Sequence, residues 1–404
     1  MRTDYGHLTY CTNIHGGEDW ATHFALLQEH VPAIKRQVSP GQPMGLGLRL
    51  SDLASKTLAD KAQLASFKAW LAENSVYVFT MNGFPFGNFH DEVVKEAVHA
   101  PDWTTLERRD YTVRLFNILA DILPEGMEGG ISTSPLGYRH HYLDSDEAWR
   151  AMRERSTQHI LEVVIGLVQI ESQQGTVLHL DIEPEPDGVL ENGPEFIDWY
   201  VHELLPKGVV MLSERFGLGE EDAVRTLKKH VRICYDVCHF ALGYESHGTV
   251  VGQLNELGIG IGKFQISAAI KAVLAADSQA RQAVGKAFMG FDEPVYLHQV
   301  IARQHNGELV RHKDLPEAQA ALHDPDTAEW RAHFHVPIFL EDLGTLQSTQ
   351  SDILAILALH KAGQLTQHLE VETYTWGVLP KELQLPIADS ISRELTWVTG
   401  QLAK

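Results

Sequence analysis

The feature that most constrains this chain is an alternation that runs from end to end. Strand-like runs near 7–13, 44–50, 76–82, 130–135, 176–183, 231–237, 261–267 and 368–374 trade places with helical patterns. The helical segments fall near 18–38, 51–73, 104–123, 144–173, 192–216, 248–257, 268–289 and 380–403. Such alternation predicts βα units and a parallel sheet. Eight strands, each followed by a helix, is the count of a closed (β/α)₈ barrel, whereas a doubly wound sheet more often stops near about six strands. Barrels exceed the usual domain size, so one α/β domain is expected to span all 404 residues. Long loops are expected after strand 3 (83–103) and strand 7 (290–348), the second as an excursion over the barrel top.

Side chains alternate across a strand, so parity separates barrel-facing from helix-facing residues. In TVLHLDIEPEP, one parity collects His179, Asp181, Glu183 and Glu185, and the other holds Leu178, Leu180 and Ile182. The apolar set must face the helices, which turns the acids inward. Elsewhere Asp236 shares a parity with Cys234, Lys263 with Gln265 and Ser267, and Glu370 with Glu372, Tyr374 and Trp376. A structural barrel fills its interior with Val, Ile and Leu. This one places acids there, and buried carboxylates repel unless a cation or hydrogen bonds compensate. A cation at the C-terminal mouth satisfies the pattern, as would a wet, hydrogen-bonded interior without metal.

The ligand candidates are Glu183, Asp236, Gln265 and Glu372 on successive strand ends, joined by His239 in Asp236-x-x-His239 and by His333-x-His335 in the excursion. Oxygen-rich sets suit Mg²⁺ or Mn²⁺, and imidazoles shift preference toward Zn²⁺ or Co²⁺. Asn13, His15, Asn82, His90 and Trp376 are candidates for substrate contact. Trp20, Phe84, Phe86, Trp103 and Trp376 could close an apolar lid. Gly258-x-Gly260-x-Gly262 precedes a strand, so it is no dinucleotide fingerprint.

Charge and cysteine content narrow the setting. The formal charge is −21, from 54 acids against 33 Lys and Arg, a field that disfavours nucleic acid and anionic lipid. Cys11, Cys234 and Cys238 make no disulfide framework, which points to the cytoplasm and to buried, inert thiols, two of them on the sixth strand. The opening MRTDYGHLTY lacks an apolar leader, and no run reaches the ~18 residues of a membrane helix, so membrane insertion is not expected.

Together these residues resemble the xylose isomerase-like TIM barrels, which include sugar-phosphate isomerases and epimerases and the endonuclease IV type of nuclease. Members hold metal with a Glu near the fifth strand, an Asp-x-x-His, a His on the next strand and a Glu on the last. Glu183, Asp236, His239 and Glu372 match that order; Gln265 stands where most members have His. His333 and His335 resemble the Asp-x-His pair that holds further metals in the nucleases. The segments NGFPFGNFH, VKEAVHAPDW, ISTSPLGY, LDIEPEPDG, YDVCHFA, KFQISAA, HFHVPIF and ETYTW also resemble the EboE-type metabolite traffic family of bacterial secondary metabolism. That resemblance implies other ebo-cluster proteins as partners, among them a prenyltransferase-like membrane protein.

Three functions follow as expectations. The first is a divalent-metal isomerase or epimerase acting on a small polyhydroxylated or hydroxycarbonyl metabolite. There Glu183 and Glu372 exchange the proton, and Lys263 stabilises an enediolate. The second is a multi-metal phosphoester hydrolase. The third is a non-catalytic carrier or scaffold for a membrane partner.

Overall fold

The computed structural model describes residues 1–87, 95–292, 295–376 and 386–404. Eight strands form the barrel: β1 (Gly6–Tyr10), β2 (Met44–Arg49), β3 (Val76–Asn82), β4 (Gly129–Thr133), β5 (Leu178–Ile182), β6 (Val231–Asp236), β7 (Ile261–Ile266) and β8 (His368–Val371). Parallel ladders run unbroken from β2 through β8 to β1. The seam between β1 and β2 is closed differently. Cys11 bridges to Gly47 in parallel, and threonine side chains stitch the rest. Thr9 Oγ1 donates to Gly45 O and accepts from Gly47 N, both at 2.9 Å, and Thr12 Oγ1 accepts from Arg49 N at 2.8 Å. The (β/α)₈ barrel read from the alternation is what the chain adopts.

The helices begin where capping chemistry permits. Asp19, Ser51, Thr105 and Ser145 each accept a hydrogen bond from a first-turn amide. Leu178, Leu180 and Ile182 are fully buried in the layer between strands and helices. Each such side chain contributes about 1.5–3 kcal/mol of burial. His179, Asp181, Lys263, Gln265 and Glu370, on the opposite parity, are equally buried inside the barrel. Glycine makes this possible. A Cβ on Gly47 would overlap Glu370 Oε1, one on Gly130 would meet His179 and Asp181, and one on Gly262 would meet Asp181.

Several elements differ from expectation. The segment after β7 is an antiparallel sheet, not a loop. Its strands stand in the order Leu309–His312, Val300–Gln304, Thr327–Ala332, Ile270–Val273, Leu346–Ser348 and Asp342–Leu343. The expected helix 268–289 therefore splits: Ile270–Val273 joins this sheet, and the helix starts at Ser278 under the Asp277 cap. Small residues in SAAIKAVLAA fit both periods, and strand pairing decides between them. Expected helix 51–73 is two helices, Asp52–Leu58 and Lys61–Glu73, the second capped by Asp60. An additional helix, Glu220–His230, lies where none was expected. Cys238 is on a helix rather than a strand, because Asp236 already caps Val237–Leu242. All three cysteines are buried and free. Among the described residues no helix is long and apolar enough to cross a membrane.

Candidate metal centre

The C-terminal mouth gathers its acids from separated strands. Glu183 follows β5, its amide tied to Thr133 O. Glu372 follows β8, its amide tied to Ile266 O. Asp236 ends β6, and its Oδ1 is fully committed. It accepts from Cys238 N at 2.8 Å, His239 N at 3.3 Å and Ser267 Oγ at 2.6 Å. Capping starts the helix, and one turn later His239 lies over its own cap, with Nε2 3.9 Å from Asp236 Oδ2. The Asp-x-x-His spacing is thus a cap plus one helical turn. Glu372 Oε1 accepts from Asn13 Nδ2 at 2.7 Å and Asn82 Nδ2 at 2.9 Å.

Three imidazoles enter with the same nitrogen engaged. His239 Nδ1 donates to Pro184 O at 3.1 Å, His333 Nδ1 to Gln299 Oε1 at 2.8 Å, and His335 Nδ1 to Glu372 O at 3.0 Å. Gln299 cannot turn its amide the other way, because its Nε2 donates to Pro186 O at 3.2 Å. Each ring therefore carries a proton on Nδ1, which leaves Nε2 as the nitrogen that can face a ligand site. His239 Nε2 and His333 Nε2 face each other at 3.2 Å. Two lone pairs at that distance repel unless a proton or a cation lies with them.

Four overlapping triads result, within each of which the donor atoms lie within 4.8 Å of one another: Glu183, Asp236 and Glu372; Asp236, His239 and His335; Glu185, His239 and His333; Cys238, His333 and His335. Glu183 Oε2, Asp236 Oδ2 and His335 Nε2 are buried without a hydrogen-bond partner. Burial, then the neighbouring acids Glu372 and Asp236, push Glu183 well above the ordinary carboxyl range, and burial with Asp236 and Glu370 does the same to Glu372. Burial would raise Asp236 as well, but His239, His335 and the Ser267 hydroxyl outweigh it and hold it low. Burial lowers His333 and brings His335 down to about 4, so both rings are neutral ligands-in-waiting. Unpaired oxygens and neutral imidazoles fit a divalent cation, and the mixed set suits Mn²⁺, Co²⁺ or Zn²⁺.

Other expected residues lie elsewhere. Lys263 sits beneath the mouth in an ion pair with Glu370, both side chains wholly buried. It is not among the residues lining the cavity at the mouth. Gln265 accepts from Cys234 Sγ at 3.1 Å, and its Nε2 is unpartnered. His15 turns to Tyr10 OH and stacks on His30 at 5.0 Å. Trp376 is buried beside Phe339. His90 lies outside the described residues. Of the aromatic lid, only Phe84 lines the cavity. Trp20 packs on Phe24 and Phe67, Phe86 packs on Tyr111, and Trp103 Nε1 donates to Thr133 Oγ1.

The cavity instead recruits His99, Lys95, Gln299, Tyr296 and Tyr374. His99 Nε2 lies 2.9 Å from Glu185 Oε1. Glu185 shares the inward parity of Glu183, and Tyr374 that of Glu372, so their places were legible; His99, Lys95, Gln299 and Tyr296 come from the loop after β3 and the excursion, which carry no periodic signal.

No family model matches the chain, and no curated protein does. Solved structures superpose along its length at low identity. A 3-keto-D-glucoside 4-epimerase from E. coli is 13% identical over 98% of this chain and 99% of that one, with a TM-score of 0.45. A zinc-bound IolI protein is 13% identical, covering 98% of both, with a TM-score of 0.46. A xylose isomerase domain protein from Salmonella typhimurium is 11% identical over the whole of both chains, with a TM-score of 0.47. The likeness is too loose to carry any of those activities to this chain.

Proposed function

We propose that the chain is a metal-dependent isomerase or epimerase of the xylose isomerase-like kind, acting on a small polyhydroxylated or hydroxycarbonyl metabolite. The observation that supports this most is the shared orientation of the three imidazoles toward orphaned carboxylate oxygens at the mouth of the barrel. Glu183, Asp236, Glu372, His239 and His335 would hold the cation. When bound, it would polarise a carbonyl and a neighbouring hydroxyl and so acidify the C–H bond between them.

The remaining work falls to the protein. Glu183 and Glu372 reach in from β5 and β8, so a carboxyl stands ready from each strand to take or return a proton at carbon. Asn13 and Asn82 fix the Glu372 carboxylate. Phe84, Tyr296 and Tyr374 wall the cavity against water. The test is deuterium exchange: metal-loaded protein in D₂O with a panel of ketoses and aldoses should label the substrate carbon. Glu183→Gln and Glu372→Gln should lose the label, and retention of full exchange in both would refute the reading.

A second reading, phosphoester hydrolysis with two or more ions, is favoured by the Glu185, His239 and His333 triad, which offers donors for an additional ion. Two ions at the mouth together with turnover of phosphomonoesters would select it. The motif resemblance to the EboE-type family supports a narrower setting, in which the metabolite passes to a prenyltransferase-like membrane partner. Co-purification of such a protein without any exchange reaction would point to a carrier instead.

A further inference from the structure

The opposite end of the barrel holds a separate group of unsatisfied donors. His179 on β5 and His368 on β8 are buried with their rings stacked 5.2 Å apart at 29°. Glu128, just before β4, joins them: the three residues present donor atoms within 4.8 Å of one another. His179 Nδ1 is hydrogen-bonded to Asp181 Oδ1 at 2.6 Å. Its Nε2, His368 Nδ1 and Asp181 Oδ2 are all buried and unpartnered. Stacked rings do not satisfy each other's nitrogens, and native interiors seldom leave three such atoms together unpaired.

Their surroundings suit a cation. Arg232 donates to both Glu128 oxygens at 3.1 and 3.0 Å and so fixes the carboxylate in place, each oxygen keeping a further lone pair. Asp181 orients His179 as carboxylates orient metal-binding imidazoles elsewhere. Gly130 and Gly262 leave the volume that these side chains occupy.

We propose that Glu128, His179 and His368 form a second divalent-cation site at the N-terminal end of the barrel, of the two-histidine, one-carboxylate kind suited to zinc. Conserved function at this end of a barrel is stability rather than turnover, so the ion ties β5 and β8 together across the interior, with the entry to β4. It is independent of the mouth and does not rest on the activity proposed there.

The test uses chelator-stripped full-length protein titrated with Zn²⁺. A variant lacking both imidazoles of the mouth ion and its central acid, Asp236→Asn with His239→Ala and His335→Ala, should still bind about one equivalent and gain thermal stability with zinc. Adding Glu128→Gln, on the accessible rim, should weaken that binding at least about tenfold, and His368→Gln should abolish it. Should His368→Gln fail to fold, Co²⁺ absorption in the mouth variant with and without Glu128→Gln decides instead, since a His-ligated ion gives visible bands that the carboxylate change must alter. A mouth variant that binds no zinc, unchanged affinity on losing Glu128, or only water among the three side chains after zinc soaking would overturn the site.

Discussion

His239 and His333 point Nε2 at Nε2 across 3.2 Å, each ring pinned from behind by a carbonyl oxygen, Pro184 O or Gln299 Oε1. The first imidazole rides a helix capped by Asp236, and the second comes from the sheet inserted between β7 and β8. Two parts of the chain, 94 residues apart, therefore commit lone pairs to one point. The facing nitrogens call for a proton or a cation between them, and the carbonyls behind are as much part of the site as the nitrogens in front.

Replacing Gln299 with Leu removes the acceptor that fixes the His333 ring without touching any metal donor. Affinity for an ion held by Glu185, His239 and His333 should fall by about 10–100-fold while circular dichroism stays unchanged. Isothermal titration with Mn²⁺ or Zn²⁺ reads this, and affinity equal to the parent's would show that the ring needs no such support.

Lys263 and Glu370 form an ion pair with no solvent exposure. Burial works against the ammonium, but Glu370, aided by Cys234 and Cys11, raises its pKa above the ordinary value, so it stays charged. Lys263→Met alone leaves a buried carboxylate unpaired and should cost about 3–5 kcal/mol in urea unfolding. Lys263→Met with Glu370→Met should recover most of that loss. Equal destabilisation by the single and double variants would contradict the pairing.

Gly47 marks where β2 passes over Glu370, and a Cβ there would also meet Tyr10 O. Gly47→Ala should destabilise by about 1–3 kcal/mol through overpacking. Gly41→Ala, where nothing lies within 4 Å, should be close to neutral. The pair compared by thermal melting separates lost space from lost backbone freedom.

Glu394 on the C-terminal helix accepts from Ile338 N at 3.2 Å and Thr373 Oγ1 at 2.8 Å, joining the segments that carry His335 and Glu372. Burial outweighs both bonds and raises its carboxyl from 4.5 to about 8. Between those values the folded chain holds a proton that the unfolded chain has lost, so this group's contribution to stability falls as pH rises through the window. Glu394→Gln should flatten the pH dependence of the unfolding midpoint above pH 4.5. A parallel offset of the curve, with its slope intact, would contradict the shift.

Strand parity made the polar barrel legible, because Leu178, Leu180 and Ile182 leave their neighbours only the inward side. It also placed Glu183, Asp236 and Glu372 together, since all three sit at strand ends. Parity says nothing of depth: Lys263 shares the inward face but lies one layer below the mouth, held by Glu370. Residues on irregular backbone, such as His99 and Tyr296, came without a period to read. His15 packs on His30 and Trp376 beside Phe339, because a polar or aromatic residue just past a strand can pack sideways as readily as inward.

The most direct test of the account is anomalous diffraction from crystals grown with Mn²⁺ or Zn²⁺, measured at the metal's absorption edge. The account predicts a peak among Asp236 Oδ2, Glu183, Glu372 and the Nε2 atoms of His239 and His335. A metal-replete crystal whose mouth holds only water, or whose imidazoles have turned Nε2 away from Asp236, would contradict it.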